Sequence, residues 1–227
     1  MRKIILYLLF YFCLSSLSYA APCYGSKMPH KGQWFGGAQT YSIFNRRLEN
    51  DYGKMHSLQE FVLISYGLLD GVSLDLKGRA GNIRQRSKSG GPDINYPTYL
   101  GGGYGIRLKL YDTEATKMIF GFQHISIHPY TVSVGASKNK AVLDDWQFSF
   151  LVSHDIFNIT PYVGTRWSWM NQIHWVDTVR KLQKSDLGQG VGLIVGVDIP
   201  LSKKTWFNVE GQFFDATAVS GSINFAF

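Results

Sequence analysis

The sequence predicts an all-β protein, a transmembrane, antiparallel, up-and-down β-barrel of ten strands, with eight strands as the alternative. Segments of strand length alternate between apolar and polar residues, and their connections alternate between short and long. After residue 20, no uninterrupted apolar run is long enough for a spanning helix. Aromatic residues make up 15% of the 227-residue chain and charged residues only 17%, which also suits a barrel.

The N-terminus has the pattern of a secretory signal peptide. Arg2 and Lys3 give a positive end, residues 4–14 an apolar core, and Ser-Tyr-Ala at 18–20 a small-x-small cleavage site. The apolar core is too short to anchor the chain as a membrane helix. We therefore expect a signal peptide at 1–20, an N-terminal segment at 21–32 and a barrel at 33–227.

Ten segments in the rest of the chain are expected to be strands. Most reach the roughly 9–11 residues that a tilted membrane strand requires. An even number of strands places both ends of the mature chain on the same side of the membrane. The expected strands are 33–44, 58–67, 72–84, 99–111, 117–128, 144–154, 160–172, 189–199, 205–214 and 220–227.

Most of these segments have one apolar and one polar face. In the third, Val72, Leu74 and Leu76 alternate with Ser73 and Asp75. The polar faces are rich in Gly, Ser and opposed charges, which suits a narrow lumen. The first two segments carry apolar residues on both faces, so they are the source of the eight-strand alternative.

The connections divide into two groups. Those at 68–71, 112–116, 155–159 and 200–204 are short, and those at 45–57, 85–98, 129–143 and 173–188 are longer and polar. Short turns on the periplasmic side and long loops outside are typical of outer-membrane barrels. The loops carry basic residues that are either a solvated surface or contacts with lipopolysaccharide phosphates. These residues are Arg46, Arg47, Lys54, Arg84, Arg86, Lys88, Lys138, Lys140, Arg180, Lys181 and Lys184.

Tryptophan and tyrosine residues fall towards the strand ends. Such rings favour the membrane–water interface, so the sequence predicts two aromatic girdles. The expected members are Trp34, Tyr162 and Trp206 at the periplasmic end and Trp146, Trp167 and Trp169 at the outer end.

The last strand alternates, with Ile223, Phe225 and Phe227 on one face. An unpaired edge here would promote aggregation unless the strand closes a barrel. This ending resembles the C-terminal strand of Gram-negative outer-membrane β-barrels, which alternates in this way and stops on an aromatic residue. The resemblance implies an outer-membrane location with residues 21–32 in the periplasm. It also implies that Phe225 and Phe227 form a signal read by the barrel assembly machinery.

Charged residues are expected on the lumen side of the strands. Small barrels are normally filled by their own side chains, so a structural network of paired charges is the favoured interpretation. A narrow ion-conducting pore is the alternative. The expected lumen network is Asp75, Lys77, Arg79, Arg107, Lys109, Arg166, Asp198 and Glu210.

His124, Ser126 and His128 share one face of the fifth strand, and Asp144 and Asp145 begin the next. A Ser with a His base and an orienting Asp can act as a nucleophile. Period-two phasing turns the trio towards lipid, unless a bulge near Gly121 or Gln123 reverses it. The stretch 121–153 is similar to the His-x-Ser site of lipid A 3-O-deacylases. That resemblance implies His124 as base, Ser126 as nucleophile, and Asp144 or Asp145 as the acid.

Cysteine usage and charge limit the function classes. Cys23 would be alone after signal cleavage, which excludes an internal disulfide and a Cys-type zinc site; its role stays open. The formal net charge is +7, but the signal peptide, aromatic content and strand pattern argue against a nucleic-acid partner.

We expect a monomeric, porin-like outer-membrane barrel without metal or cofactor, with outer-membrane lipid, lipopolysaccharide and the assembly machinery as partners. Its expected role is structural, surface-interacting or that of a narrow pore, and non-enzymatic. The alternative is a lipid A-modifying hydrolase that uses the His-x-Ser pair and an Asp.

Overall fold

The computed structural model describes residues 24–49, 53–86, 93–184 and 189–227. The expected signal peptide, Cys23 and Lys88 lie outside the described residues. Within these ranges, no helix is long and apolar enough to cross a membrane.

The described residues form twelve β-strands and no α-helix. All strand pairings are antiparallel. The strands are β1 (Trp34–Arg47), β2 (Lys54–Leu69), β3 (Val72–Arg86), β4 (Ile94–Asp112), β5 (Thr116–Ile127), β6 (Val132–Val134), β7 (Ser137–His154), β8 (Thr160–Val176), β9 (Val179–Lys184), β10 (Val191–Pro200), β11 (Thr205–Phe213) and β12 (Thr217–Ala226).

Ten of the strands described form a closed wall, in the order β7-β5-β4-β3-β2-β1-β12-β11-β10-β8, with β8 pairing back to β7. The short strand β6 pairs only with the beginning of β7, and the short strand β9 pairs only with the end of β8. The predicted ten-stranded barrel is therefore confirmed. The first two expected strands both belong to the wall, so the eight-strand alternative is wrong.

The strands are staggered around the barrel. Starting from Gln39 on β1, the cross-strand partners can be followed from strand to strand around the barrel. In one direction they lead to Gln172 on β8, and in the other direction to Thr160 on the same strand. This offset of 12 residues is the shear of the barrel. Such a shear requires the strands to tilt by about 40° from the barrel axis.

The two ends of the barrel differ in their connections. One end, called here the turn end, carries the short connections between β2 and β3, β4 and β5, β7 and β8, and β10 and β11. The opposite end is called the loop end. Here the strands run further than expected, so loops predicted at 129–143 and 173–188 are largely replaced by β6–β7 and β8–β9 pairing. The reason is local: Val132, Val134 and the apolar run 141–143 favour extended backbone.

The wall has an apolar outside and a filled inside. On β3, Leu74 and Leu76 are 42% and 57% exposed, whereas Ser73 and Asp75 are fully buried in the lumen. A soluble sandwich would bury the apolar face instead. This inversion is the one expected of a membrane barrel.

The loop half of the lumen is filled by an apolar cluster. Its side chains come from eight of the ten described wall strands and from Leu48 and Ala216 beside the ends of β1 and β12, so they form a layer across the interior. Inward-facing Phe61 and Leu63 explain why β2 is apolar on both faces. The members are Tyr41, Ile43, Leu48, Met55, Phe61, Leu63, Ile83, Tyr96, Ile125, Ile127, Ala141, Leu143, Met170, Ala216 and Ala218.

The expected aromatic girdles are found only in part. Trp34 lies outside at the turn end, with its ring 4.6 Å from that of Tyr66. Trp146, Trp167 and Trp169 lie outside towards the loop end. The prediction that Tyr162 and Trp206 belong to the girdle is wrong, because both are buried inside the barrel. Each has the strand phase opposite to its outward neighbours, Val163 and Phe207.

Candidate functional site

Buried charges in the lumen are balanced in the described part of the chain. Five basic and five acidic side chains are buried there. A balanced interior can be neutralised by internal pairing and needs no ion from outside. The basic residues are Arg46, Lys77, Arg79, Arg107 and Arg166, and the acidic residues are Asp75, Asp145, Asp198, Glu210 and Asp215.

The pair with the best geometry joins β3 and β4. Arg107 donates from Nε and Nη2 to the two carboxylate oxygens of Asp75, each at 2.8 Å. Both side chains are buried, and the two parallel bonds form the bidentate arrangement typical of strong Arg–carboxylate pairs. Of the other expected lumen residues, only Lys109 is not fully buried, because it lies near the turn end and pairs with Asp112.

A second pair joins Arg46 and Asp145. Arg46 was expected in a basic outer loop, but it is 2% exposed and its Nη1 lies 3.4 Å from Asp145 Oδ2. Ser168 and Gln147 also donate to Asp145, at 2.7 Å each. Asp145 therefore lies inside the barrel, on the opposite side of the wall from Ser126.

The third network lies against β11. Arg166 donates to Asp215, and its Nη1 lies 3.2 Å from the side-chain oxygen of Gln212. Tyr162 donates to Glu210 at 3.0 Å. Asp215 was not among the predicted lumen residues; it follows the left-handed Phe214 (φ 78°) in the short β11–β12 connection. That turn directs the carboxylate inwards, where it meets Arg166.

The segment before β1 enters the lumen at the turn end. Ser26 donates to Asp198 through its backbone N–H at 2.9 Å and its hydroxyl at 2.6 Å. The Lys27 carbonyl accepts a 2.7 Å bond from Arg107. Gly25 (φ +73°) lies so close to Asp198 that an added Cβ would be 2.9 Å from its carboxylate oxygen. This residue therefore needs to be Gly for both conformational and steric reasons.

The N-terminal segment does not fill the turn end completely. A cavity of about 300 Å³ remains beside it, lined in part by Lys27, Lys109, Lys117 and Lys203. This basic vestibule opens at the turn end. The sequence indicated a segment at 21–32 but contained no signal that it folds back into the lumen.

The His-x-Ser stretch faces outwards. Pairing of β5 with β4 and β7 is regular from Ile119 to Ile127, so no bulge near Gly121 or Gln123 reverses its phase. Ser126 Oγ lies 3.1 Å from His128 Nε2. His124 Nε2 lies 2.6 Å from Asp144 Oδ1 instead. The structure thus forms a Ser–His pair and a separate His–Asp pair.

Aromatic rings surround the His–Asp pair. The His124 ring lies 4.1 Å from the Trp146 ring and 5.3 Å from the Tyr104 ring, centroid to centroid. The Trp146 indole also donates to Asp144 at 3.3 Å. The distance between Ser126 and His128 is that of a nucleophile–base pair. The carboxylate of Asp144, however, contacts His124 and not His128.

The expected assembly residues lie at the closure of the barrel. Phe225 and Phe227 point outwards, with ring centroids 5.5 Å apart. The Phe227 N–H donates to the Trp34 carbonyl at 3.0 Å, beyond the β1–β12 ladder that runs from Phe35–Ala226 to Asn45–Thr217. The last residue therefore adds one bond to a ladder that is already continuous.

Several solved structures share this architecture. An outer membrane channel from Pseudomonas putida F1 aligns with 92% of this chain and all of its own, at 9% identity and a TM-score of 0.50. The translocator domain of autotransporter NalP from Neisseria meningitidis covers 88% of this chain and 90% of its own, at 11% identity and a TM-score of 0.47. The structure of outer membrane protein AlkL aligns with 93% of this chain and 97% of its own, at 10% identity and a TM-score of 0.39.

At these identities the likeness is one of fold: the chain has the architecture of bacterial outer-membrane β-barrels. No protein-family model and no curated protein sequence matches the chain.

Proposed function

We propose that this protein is an outer-membrane barrel with a closed lumen, acting as a structural or surface-interacting component. The turn end would face the periplasm and the loop end the exterior, after removal of residues 1–20. Insertion would depend on the barrel assembly machinery, and the barrel would act as a monomer. This orientation agrees with the short-turn and long-loop pattern of such barrels.

The observation that supports a closed lumen is the apolar cluster. Tyr41, Met55, Ile83 and Ile127 are at most 1% exposed although they point into the lumen. A water-filled channel would hydrate these side chains, at a cost set by their apolar area. Towards the turn end, the Asp75–Arg107 pair and the N-terminal segment occupy the lumen.

Thiol labelling tests this proposal. Ala141 belongs to the cluster and is fully buried, so Ala141→Cys should not react with a membrane-impermeant maleimide added to intact cells. Val179→Cys is the matched control, because Val179 is 57% exposed at the loop end. Both variants carry Cys23→Ser. Labelling of Ala141→Cys as fast as Val179→Cys would contradict a closed lumen.

The second candidate function is hydrolysis of an acyl chain of lipid A. The 3.1 Å contact between Ser126 and His128 on the lipid-facing wall supports it. His128, rather than His124, would be the base, and His124–Asp144 would adjust the surrounding charge. Polar side chains on the lipid face are costly and often functional.

Mass spectrometry of lipid A tests the second candidate. Cells that make the protein should lack one acyl chain, and Ser126→Ala should restore it while the barrel still folds. Ser42→Ala changes another outward-facing serine, on β1, and should have no effect. Lipid A that is identical with and without the protein would refute the hydrolase.

A further inference from the structure

A row of cations crosses the outer wall at the loop end. Arg47 on β1 pairs directly with Lys54 on β2, and Lys54 pairs directly with Arg86 on β3. Directly paired residues share one face of a sheet, and all three side chains are exposed. Their neighbours along the strands, Arg46, Met55 and Gln85, are buried in the lumen, so the row points outwards.

This row is electrostatically unfavourable without a counter-ion. Opposed residues in an antiparallel pair have Cβ atoms about 5 Å apart, and like charges there repel. Asp93 lies 3.5 Å from Arg86 and 3.3 Å from neighbouring Arg84, so one carboxylate serves two guanidinium groups. Within the described ranges, neither Arg47 nor Lys54 has an ion-pair partner.

An apolar surface adjoins the row on the same wall. Phe44 on β1 and Leu58 on β2 are 49% and 48% exposed, and both lie nearer the turn end than the cations. The surface therefore passes from apolar to strongly basic over a few residues. An amphiphile with an anionic head group and acyl chains matches both parts.

We propose that Arg47, Lys54 and Arg86 bind a phosphoryl group of an anionic lipid in the outer leaflet. The guanidinium groups can each donate two parallel bonds to phosphate oxygens, and Lys54 adds a point charge between them. The acyl chains would lie over Phe44 and Leu58. This inference uses the position of the barrel in a membrane but does not depend on the closed lumen.

The test uses the full mature chain reconstituted into phosphatidylcholine nanodiscs with a minor fraction of lipid A that carries its phosphate groups. The double variant Arg47→Gln, Lys54→Gln should retain about tenfold less lipid A, measured by mass spectrometry after purification. Lys138→Gln, Lys140→Gln is the control, because it removes the same charge from β7, which lies across the barrel from β1. Heat-modifiable migration on a gel verifies that each variant is folded.

Three outcomes decide the proposal. The proposal is supported if the Arg47→Gln, Lys54→Gln variant retains less lipid A than the control and this difference disappears with dephosphorylated lipid A. Equal retention in the variant and the control overturns it. Displacement of lipid A by millimolar inorganic phosphate would also overturn it, because the site would then bind the free anion without any contribution from the acyl chains.

Discussion

Asp75 and Arg107 show how a charge is held inside a narrow barrel. Each is buried, and two parallel hydrogen bonds join them. Removing one partner leaves the other charge buried and uncompensated, which typically costs about 3–5 kcal/mol. Asp75→Asn should therefore lower the free energy of unfolding by about 3 kcal/mol in urea titrations of the protein in lipid vesicles.

Asp70→Asn provides the comparison for that variant, because Asp70 is 75% exposed at the turn end. It should change the unfolding free energy by less than about 0.5 kcal/mol. If both substitutions had the same small effect, the Asp75–Arg107 pair would not be the structural contact described above.

Replacing Arg79, unlike replacing Asp75, should not lower the free energy of unfolding. Its Nε and Nη2 atoms are buried without a hydrogen-bond partner among the described groups, and its guanidinium lies 5.3 Å from the Phe61 ring. An unpaired buried charge is destabilising, so Arg79→Met should be neutral or stabilising by about 1 kcal/mol in the same titration. A loss above about 2 kcal/mol would show that Arg79 makes an essential contact, for example through water.

At the scale of the element, the role of β12 in closing the barrel can be tested separately from its role in targeting. Its ladder with β1 is complete without Phe227, which adds one backbone bond and a lipid-facing ring. Because the assembly machinery is expected to recognise Phe227, deleting this residue should sharply reduce the amount of protein in outer-membrane fractions of cells. The same variant should still refold into detergent micelles and keep its heat-modifiable migration.

That contrast distinguishes a recognition signal from a structural residue. Leu201, 60% exposed at the turn end, offers a control, because Leu201→Ala should change neither measurement. Normal outer-membrane levels without Phe227 would refute the signal. Failure to refold in micelles would assign Phe227 to the stability of the wall.

Period-two alternation predicted most of the wall, because each strand has one lipid-facing side. It also separates Asp144 from Asp145, which lie on opposite sides of β7. It did not predict the apolar cluster, because inward Phe61 and outward Val62 look alike in sequence. Nor did it predict the contact of Ser26 with Asp198, since 172 residues separate the two along the chain.

For the whole molecule, the filling of the lumen decides between a structural barrel and a narrow pore. The apolar cluster closes the loop half together with the Arg46–Asp145 pair, and the Asp75–Arg107 pair and the N-terminal segment occupy the turn half. Removing residues 24–31 would enlarge the cavity at the turn end but leave the apolar cluster in place. The N-terminal segment is therefore expected to contribute to stability without acting as the gate.

Single-channel recording in planar lipid bilayers tests this most directly, with the intact mature chain and the variant lacking residues 24–31. The closed-lumen account predicts no steady ohmic steps from either protein, although an open porin in the same bilayer conducts. Reproducible openings from the intact chain would contradict the account. Openings that appear only after the segment is removed would contradict the role assigned to the apolar cluster and make residues 24–31 the gate.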